Sequence, residues 1–400
     1  MVHNHYQQSG GEDNSFAAEI ALLRAHNHSV HTYVRHNNEI QGKSPLKMAQ
    51  WAVWNHQAYG EIRRLIREIR PDVAHFQNTF SLLSPAVYHA ASAEGIPVIE
   101  TLRNYRLLCP NALFFRDGRV CEDCLGRHFP WPGLQHACYR DSKAATSVIA
   151  FMNVFHRMIG TWHNKVDIYI ALTDFARQKF IQAGFPAEKI VVKPNFVFEN
   201  TDSEGEGTAG ESRKGGLYVG RLSHEKGIDL LLKAWERLGE DAPLTIIGDG
   251  PMSDMVVRAV KKMPWVRWLG QKESGEAIRL MGVAAFFILP SVCYEGMPRT
   301  IVEAFMQGTA PVTFKLGAMG SMIENGRTGV LCKPGSSDDL AVKVRWAFEH
   351  PEEMVRMGQA ARSEYEKKYT AERNYEMLVN IYEKAVSHAR SEKMTESCKC

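Results

Sequence analysis

The sequence predicts an α/β protein built from two doubly wound units, and three observations carry that expectation. Its 400 residues exceed one ordinary core and suit two units of roughly 150–200 residues each. Short apolar, β-branched runs alternate with longer amphipathic stretches in both halves, the pattern of a parallel sheet covered by helices. Between the halves, ENTDSEGEGTAGESRKG at residues 199–215 is poor in apolar side chains and rich in Gly, Ser and Glu, the composition of a flexible linker. The expected division is a first unit over 1–198 with an irregular insertion at 104–140, a second unit over 216–370, and a final helix and tail over 371–400.

In the first half the strand candidates are VHNH from residue 2, SVHTYV, DVAHF, IPVIETL, VDIYIAL and KIVVKP. The helix candidates between them are Phe16 to Ala25, Leu46 to Ile69 and Phe175 to Ala183. The second half repeats the scheme with GLYVG, PLTIIG, VRWLG, AAFFILP and APVTF, and its helices are expected to begin near Lys226, Pro251, Ser274, Pro298 and Ser337. Two such units place a ligand in a central cleft, between the carboxyl ends of their strands.

Composition narrows the function classes. Hydrophobic content of 44% and charged content of 23% are those of a globular protein, and no apolar run reaches the roughly 18 residues of a membrane span. A net charge of +3 argues against a nucleic-acid binder. MVHNHYQQSGG lacks the basic start and apolar core of a signal peptide, so a cytoplasmic protein with reduced thiols is expected. In Leu46 to Arg70, Trp51, Trp54 and Tyr59 precede Arg63, Arg64, Arg67 and Arg70, which reads either as a helix packed on the sheet or as one lying on an anionic membrane face.

Three stretches carry chemistry. PSVCYEGMPRTIVEAFMQGTAPV holds Glu295 and Glu303, seven residues between them, around a helix start at Met297–Pro298; eight positions along a helix would bring both carboxylates to one side. The amides near Thr300 and Ile301 would face an anion. In GLYVGRLSHEKGIDLLLKAW a strand ends at Gly220, and Arg221 and Lys226 follow before a helix, two cations suited to a diphosphate. Gly10 and Gly11 sit between the first strand and the first helix, where backbone N–H groups can approach a phosphate.

Together these stretches resemble glycosyltransferase family 4, retaining nucleotide-sugar transferases of GT-B fold, in which two Rossmann-like domains face a central cleft. The resemblance rests on the Gly-Gly turn, VGRL-x-x-EKG, IIGDGP and P-S-x-x-E-G-x-P-x-x-x-x-E-A-x-x-x-G, and covers nearly the whole chain. It implies that Glu295 approaches the transferred sugar, Glu303 binds the ribose, Arg221 and Lys226 hold the diphosphate, and the base sits near Leu269 to Gln271. It also implies a UDP- or GDP-sugar donor, a glycan or lipid-linked glycan acceptor, no cofactor for transfer, the leaving phosphate as the base, and a final helix over 371–400 that crosses back to the first unit. Two positions depart from the family pattern: Arg103 stands where a histidine is usual near the donor sugar, and Ser321 where a glutamate is usual. An impaired binding homologue and a nucleotide-sugar epimerase or hydrolase are the rival readings.

Cys109, Cys121, Cys124 and Cys138 form C-x11-C-x2-C-x13-C within the insertion. A C-x2-C knuckle with two flanking cysteines suits a structural zinc held by four thiolates. Buried reduced thiols and a redox or iron–sulfur use are the other readings.

Overall fold

The computed structural model describes residues 1–7, 10–199 and 213–397, with side chains to 389, so most of the expected linker and the C-K-C tail at 398–400 lie outside the described residues. The chain divides into two compact units. The first comprises Met1–Leu113, Glu122–Pro194 and the chain from Asn374 onward; the second comprises Phe114–Cys121 and Asn195–Arg373.

Among the described residues the strands are β1 (Val2–His5), β2 (Tyr33–His36), β3 (Ala74–Asn78), β4 (Val98–Leu102), β5 (Phe115–Arg116), β6 (Arg119–Val120), β7 (Ile168–Ala171), β8 (Ile190–Val192), β9 (Gly216–Val219), β10 (Leu244–Ile247), β11 (Val266–Trp268), β12 (Phe286–Leu289), β13 (Pro311–Phe314) and β14 (Val330–Cys332). In the first unit six parallel strands run β2-β1-β3-β4-β7-β8. The second unit's parallel sheet runs β11-β10-β9-β12-β13-β14. Both orders reverse direction next to their first strand, which is where doubly wound sheets open a crevice for a ligand.

The expected strands are all present, most trimmed by a residue or two at their ends; β2 keeps only Tyr33 and Val34 of SVHTYV and runs on to His36, and β3 starts two residues later than DVAHF and runs on to Asn78. β14 and the antiparallel β5–β6 hairpin went unread because two or three residues carry no usable periodicity. Leu46 to Ile69 is two helices, Pro45–Val53 and His56–Ile69. Asn55, fully buried, starts the second by accepting from the amides of Gln57 and Ala58, and its own amide group donates to Leu82 O. Trp54 between them stacks on His156 with ring centroids 5.8 Å apart, and Arg63 and Arg67 both bind Glu94. Two of the four arginines of the amphipathic reading are therefore committed inside the unit.

The last helix, Ala371–Ser397, joins the first unit's core: Leu378, Ile381 and Ala385 pack with Leu23, Ile99 and Ile170. No described helix is long and apolar enough to cross a membrane.

Candidate active site

In the second unit, the loops after β9 and β12, neighbours at the strand-order reversal, are drawn together by close backbone approach. Gly227 has φ of +69°, and a Cβ there would lie 2.0 Å from Pro290 O. Gly248, in the IIGDGP turn after β10, has φ of +133° and leaves room for Gly220 O, which a Cβ would meet at 1.9 Å. Only glycine fits either position. Backbone hydrogen bonds then tie the loops: Leu222 N–H donates to Asp249 O at 2.9 Å, and Val292 N–H to Glu225 O at 2.9 Å.

This packing brings Lys226 and Glu295 into contact across the two loops. Lys226 Nζ donates to Glu295 Oε1 at 2.6 Å, and Ser291 Oγ donates to the same oxygen at 2.6 Å. Burial works against the Lys226 charge, but the Glu295 carboxylate, with a smaller share from Glu225, outweighs it, so its pKa is raised and the ammonium persists. Burial pushes the Cys293 thiol well up, which keeps it protonated. Arg221 is exposed at the same turn.

Glu303 lies within the helix Arg299–Met306 and is 9% exposed, with Arg299 Nε 3.7 Å from its carboxylate. Burial raises its pKa, against a smaller downward pull from Arg299. Two details correct the sequence expectation. Glu295 precedes the helix by four residues, so the two carboxylates do not stand on one helical face. The Ile301 amide donates to Pro298 O at 3.2 Å, so the tight first turn uses the donor expected to face an anion. Thr300 stands in that turn. Leu269 N–H extends the sheet to Ile246 O at 3.0 Å, and Gln271 is exposed just beyond Gly270. Ser321, in Gly317–Met322, donates to Ala318 O at 2.9 Å.

In the first unit, Gly10 and Gly11 stand at the carboxyl end of β1. Gly10 has φ of −137°, and a Cβ on either glycine would meet nothing within 4 Å, so the fold itself does not demand glycine there. Sequence reasoning missed what orders this turn. Asp13 Oδ2 accepts from Gly10 N–H at 3.2 Å, while Oδ1 meets His3 Nε2 at 2.7 Å and His5 Nδ1 at 3.1 Å. The signal was available in the alternating V-H-N-H, which points both histidines to one face of β1.

Arg103, expected beside the donor sugar, lies in the interior of the first unit with its side chain 1% exposed. Its Nη2 donates to Gln77 Oε1 at 2.5 Å and to Glu19 Oε1 at 3.3 Å. These contacts make it a counter-ion and positioning group. Of the cysteines, Cys109 Sγ donates to Asn111 Oδ1 at 3.0 Å and Cys124 Sγ accepts from Gly133 N–H at 3.2 Å. Cys138 follows the short helix Trp131–Gln135, and Cys121 closes the hairpin segment Phe114–Cys121.

Two doubly wound parallel sheets, one gathering paired charges at its strand-order reversal, define an α/β protein of the GT-B class. Family profiles agree: Glycosyltransferase Family 4 matches residues 10–199 and Glycosyl transferases group 1 matches 202–364. The chain belongs to glycosyltransferase family 4. Among relatives, Mycobacterium tuberculosis glycogen synthase is 36% identical over 152 residues, which are 36% of each chain. The match thus spans about a third of that protein. Pseudomonas aeruginosa D-rhamnosyltransferase WbpZ is 23% identical over 281 residues, covering 64% of this chain and 72% of that one. The fold is similar to Anabaena HepE, solved in complex with UDP, with a TM-score of 0.64 and 17% identity over 98% of this chain and 99% of that one.

Proposed function

We propose that the protein is a retaining glycosyltransferase that moves a hexose-type sugar from UDP- or GDP-sugar to a glycan or lipid-linked glycan. The observation that carries this reading is the Lys226–Glu295 contact at the second unit's strand-order reversal, with Glu303 in the helix that follows. Lys226 and Arg221 offset the diphosphate charge as the sugar–phosphate bond breaks. Glu295 holds the sugar and keeps Lys226 in place; Glu303 accepts from the ribose hydroxyls. The leaving phosphate takes the acceptor proton on the face it departs from, so the side chains supply charge and alignment rather than a general base. The room left by Gly10 and Gly11 suits a phosphate or sugar oxygen approaching their amides.

Thermal-shift measurements with UDP-, GDP- and ADP-glucose, repeated on Glu303→Ala, test the donor assignment. One nucleotide class at about 100 times its Kd should raise Tm by roughly 3 °C or more, and Glu303→Ala should lose most of that gain. If none stabilises the wild type, the donor reading is wrong. Donor turnover with no acceptor present would instead identify an epimerase or hydrolase.

A structural zinc on Cys109, Cys121, Cys124 and Cys138 rests on their spacing alone, and four thiolates would leave no open position for a substrate; among the described residues, the metal-ligating side chains that gather within 4.8 Å of one another are His3, His5 and Asp13. Metal analysis of protein purified without added metal should find close to one equivalent, and less than about half an equivalent in folded, reduced protein removes the assignment.

A further inference from the structure

A small cavity of ≈ 40 Å³ lies in the first unit at the carboxyl ends of β3 and β4, lined by Asn78, Thr79, Phe80, Glu100, Asn104 and Arg106 among others. Two of its polar atoms, Glu100 Oε2 and Arg106 Nε, are buried without a hydrogen-bond partner. Glu100 is only 7% exposed. Buried polar groups are nearly always paired, so two orphans in one cavity point to something that fills it.

The rest of the lining is satisfied. Asn78 donates to Asn4 O and accepts from Phe80 N–H; Asn104 donates to Glu12 Oε1 and accepts from Arg106 N–H; the Thr79 hydroxyl meets that of Tyr88. Arg106 is itself fixed, with Nη1 donating to Pro110 O at 3.2 Å and its guanidinium 4.3 Å from the centre of the Phe80 ring. Burial pushes the Glu100 carboxyl up to about 8, against a downward pull from its hydrogen bond with Tyr88. Near neutral pH the cavity therefore offers a carboxylic acid and one guanidinium N–H.

A hydroxyl complements this pair, because it can accept from Arg106 Nε while donating to Glu100 Oε2. Size limits how that hydroxyl is carried. Each water-sized probe needs about 10–15 Å³, so the cavity takes about three heavy atoms, too few for a sugar ring or a phosphate. A ring hydroxyl stands too close to its ring to reach in. A hydroxymethyl arm projects beyond the ring and enters while the ring stays outside. We infer that this cavity receives the primary hydroxyl of an acceptor hexose, with Glu100 and Arg106 reading it. The inference rests on the glycosyltransferase reading.

The test measures binding of methyl α-D-glucopyranoside, methyl α-D-galactopyranoside and methyl α-D-mannopyranoside, and of their 6-deoxy counterparts, to the full chain in the presence of UDP. At least one hexoside should bind, and its 6-deoxy form should bind at least about tenfold more weakly. Glu100→Leu should cut that discrimination to below about threefold with UDP affinity unchanged, and Glu100→Gln should keep most of it. Arg106→Lys should also reduce it, which keeps the test open if Glu100→Leu does not fold. Equal binding of the 6-deoxy sugar overturns the inference and leaves ordered water as the occupant. Retained discrimination in both Glu100→Leu and Arg106→Lys, or UDP binding with no hexoside binding, also overturns it. Failure of every nucleotide sugar to bind is a separate result, against the donor reading.

Discussion

Glu19 lies fully inside the first unit between two cations, accepting from Lys193 Nζ at 2.8 Å and from Arg103 Nη2 at 3.3 Å. Gln77 donates to its other oxygen, and Lys193 also binds Asn374 Oδ1 at 2.8 Å. Burial alone would raise the Glu19 pKa, yet Lys193, Arg103 and the nearby His75 bring it down to about 2. A depressed carboxylate pKa contributes stability above the unfolded value of 4.5 and loses it as pH falls toward 2. Glu19→Gln should leave two buried cations uncompensated and cost about 3–5 kcal/mol at pH 7 by urea denaturation, with a shallower loss of stability between pH 4.5 and 2. A denaturation curve matching the wild type would show that the ion cluster stabilises nothing. The sequence marked Arg103 as out of pattern but assigned it to the sugar, because its partner lies 84 residues away and that partner's other cation 174. One signal was readable: Glu19 shares the buried stripe of its helix with Phe16, Leu22 and Leu23, a place where a carboxylate needs a partner.

The elements that sequence reasoning located best are those with long periodic patterns or distinctive turns. β9 and β10 followed from apolar runs ending in glycine and β12 from one ending in proline, and the helices behind them from the amphipathic stretches that come next. The break in the first half's long amphipathic stretch was missed because tertiary contacts of Trp54 and Asn55 override an unbroken helical pattern. The glycine turns separate into two kinds that look alike as text. Gly227→Ala would drive a methyl into Pro290 O, so it should destabilise the protein by more than about 2 kcal/mol and displace Lys226 from Glu295. Gly11→Ala meets nothing within 4 Å and should leave the denaturation midpoint within about 0.5 kcal/mol of wild type while weakening donor affinity. Paired urea curves and nucleotide titrations check both, and a Gly227→Ala protein as stable as wild type would refute the close-approach argument.

At the scale of the molecule, two units were legible from repeated alternation and from the polar stretch between them, but their boundaries were not. The second unit begins at Asn195, and it also takes in Phe114–Cys121 from the insertion, where Phe114 packs on Tyr294 at 5.7 Å between ring centroids. Such an exchange leaves no mark in local composition, since a hairpin of two-residue strands looks the same whichever core it joins. The last helix packs Leu378, Ile381 and Ala385 on Leu23, Ile99 and Ile170, inside the unit that the start of the chain builds. That arrangement has a consequence for biosynthesis. A ribosome adds residues in order, so the first unit to emerge cannot complete its own interior until the whole second unit has been translated. Until then Leu23, Ile99 and Ile170 lack their last neighbours, and the nascent first unit is the stage most in need of a chaperone.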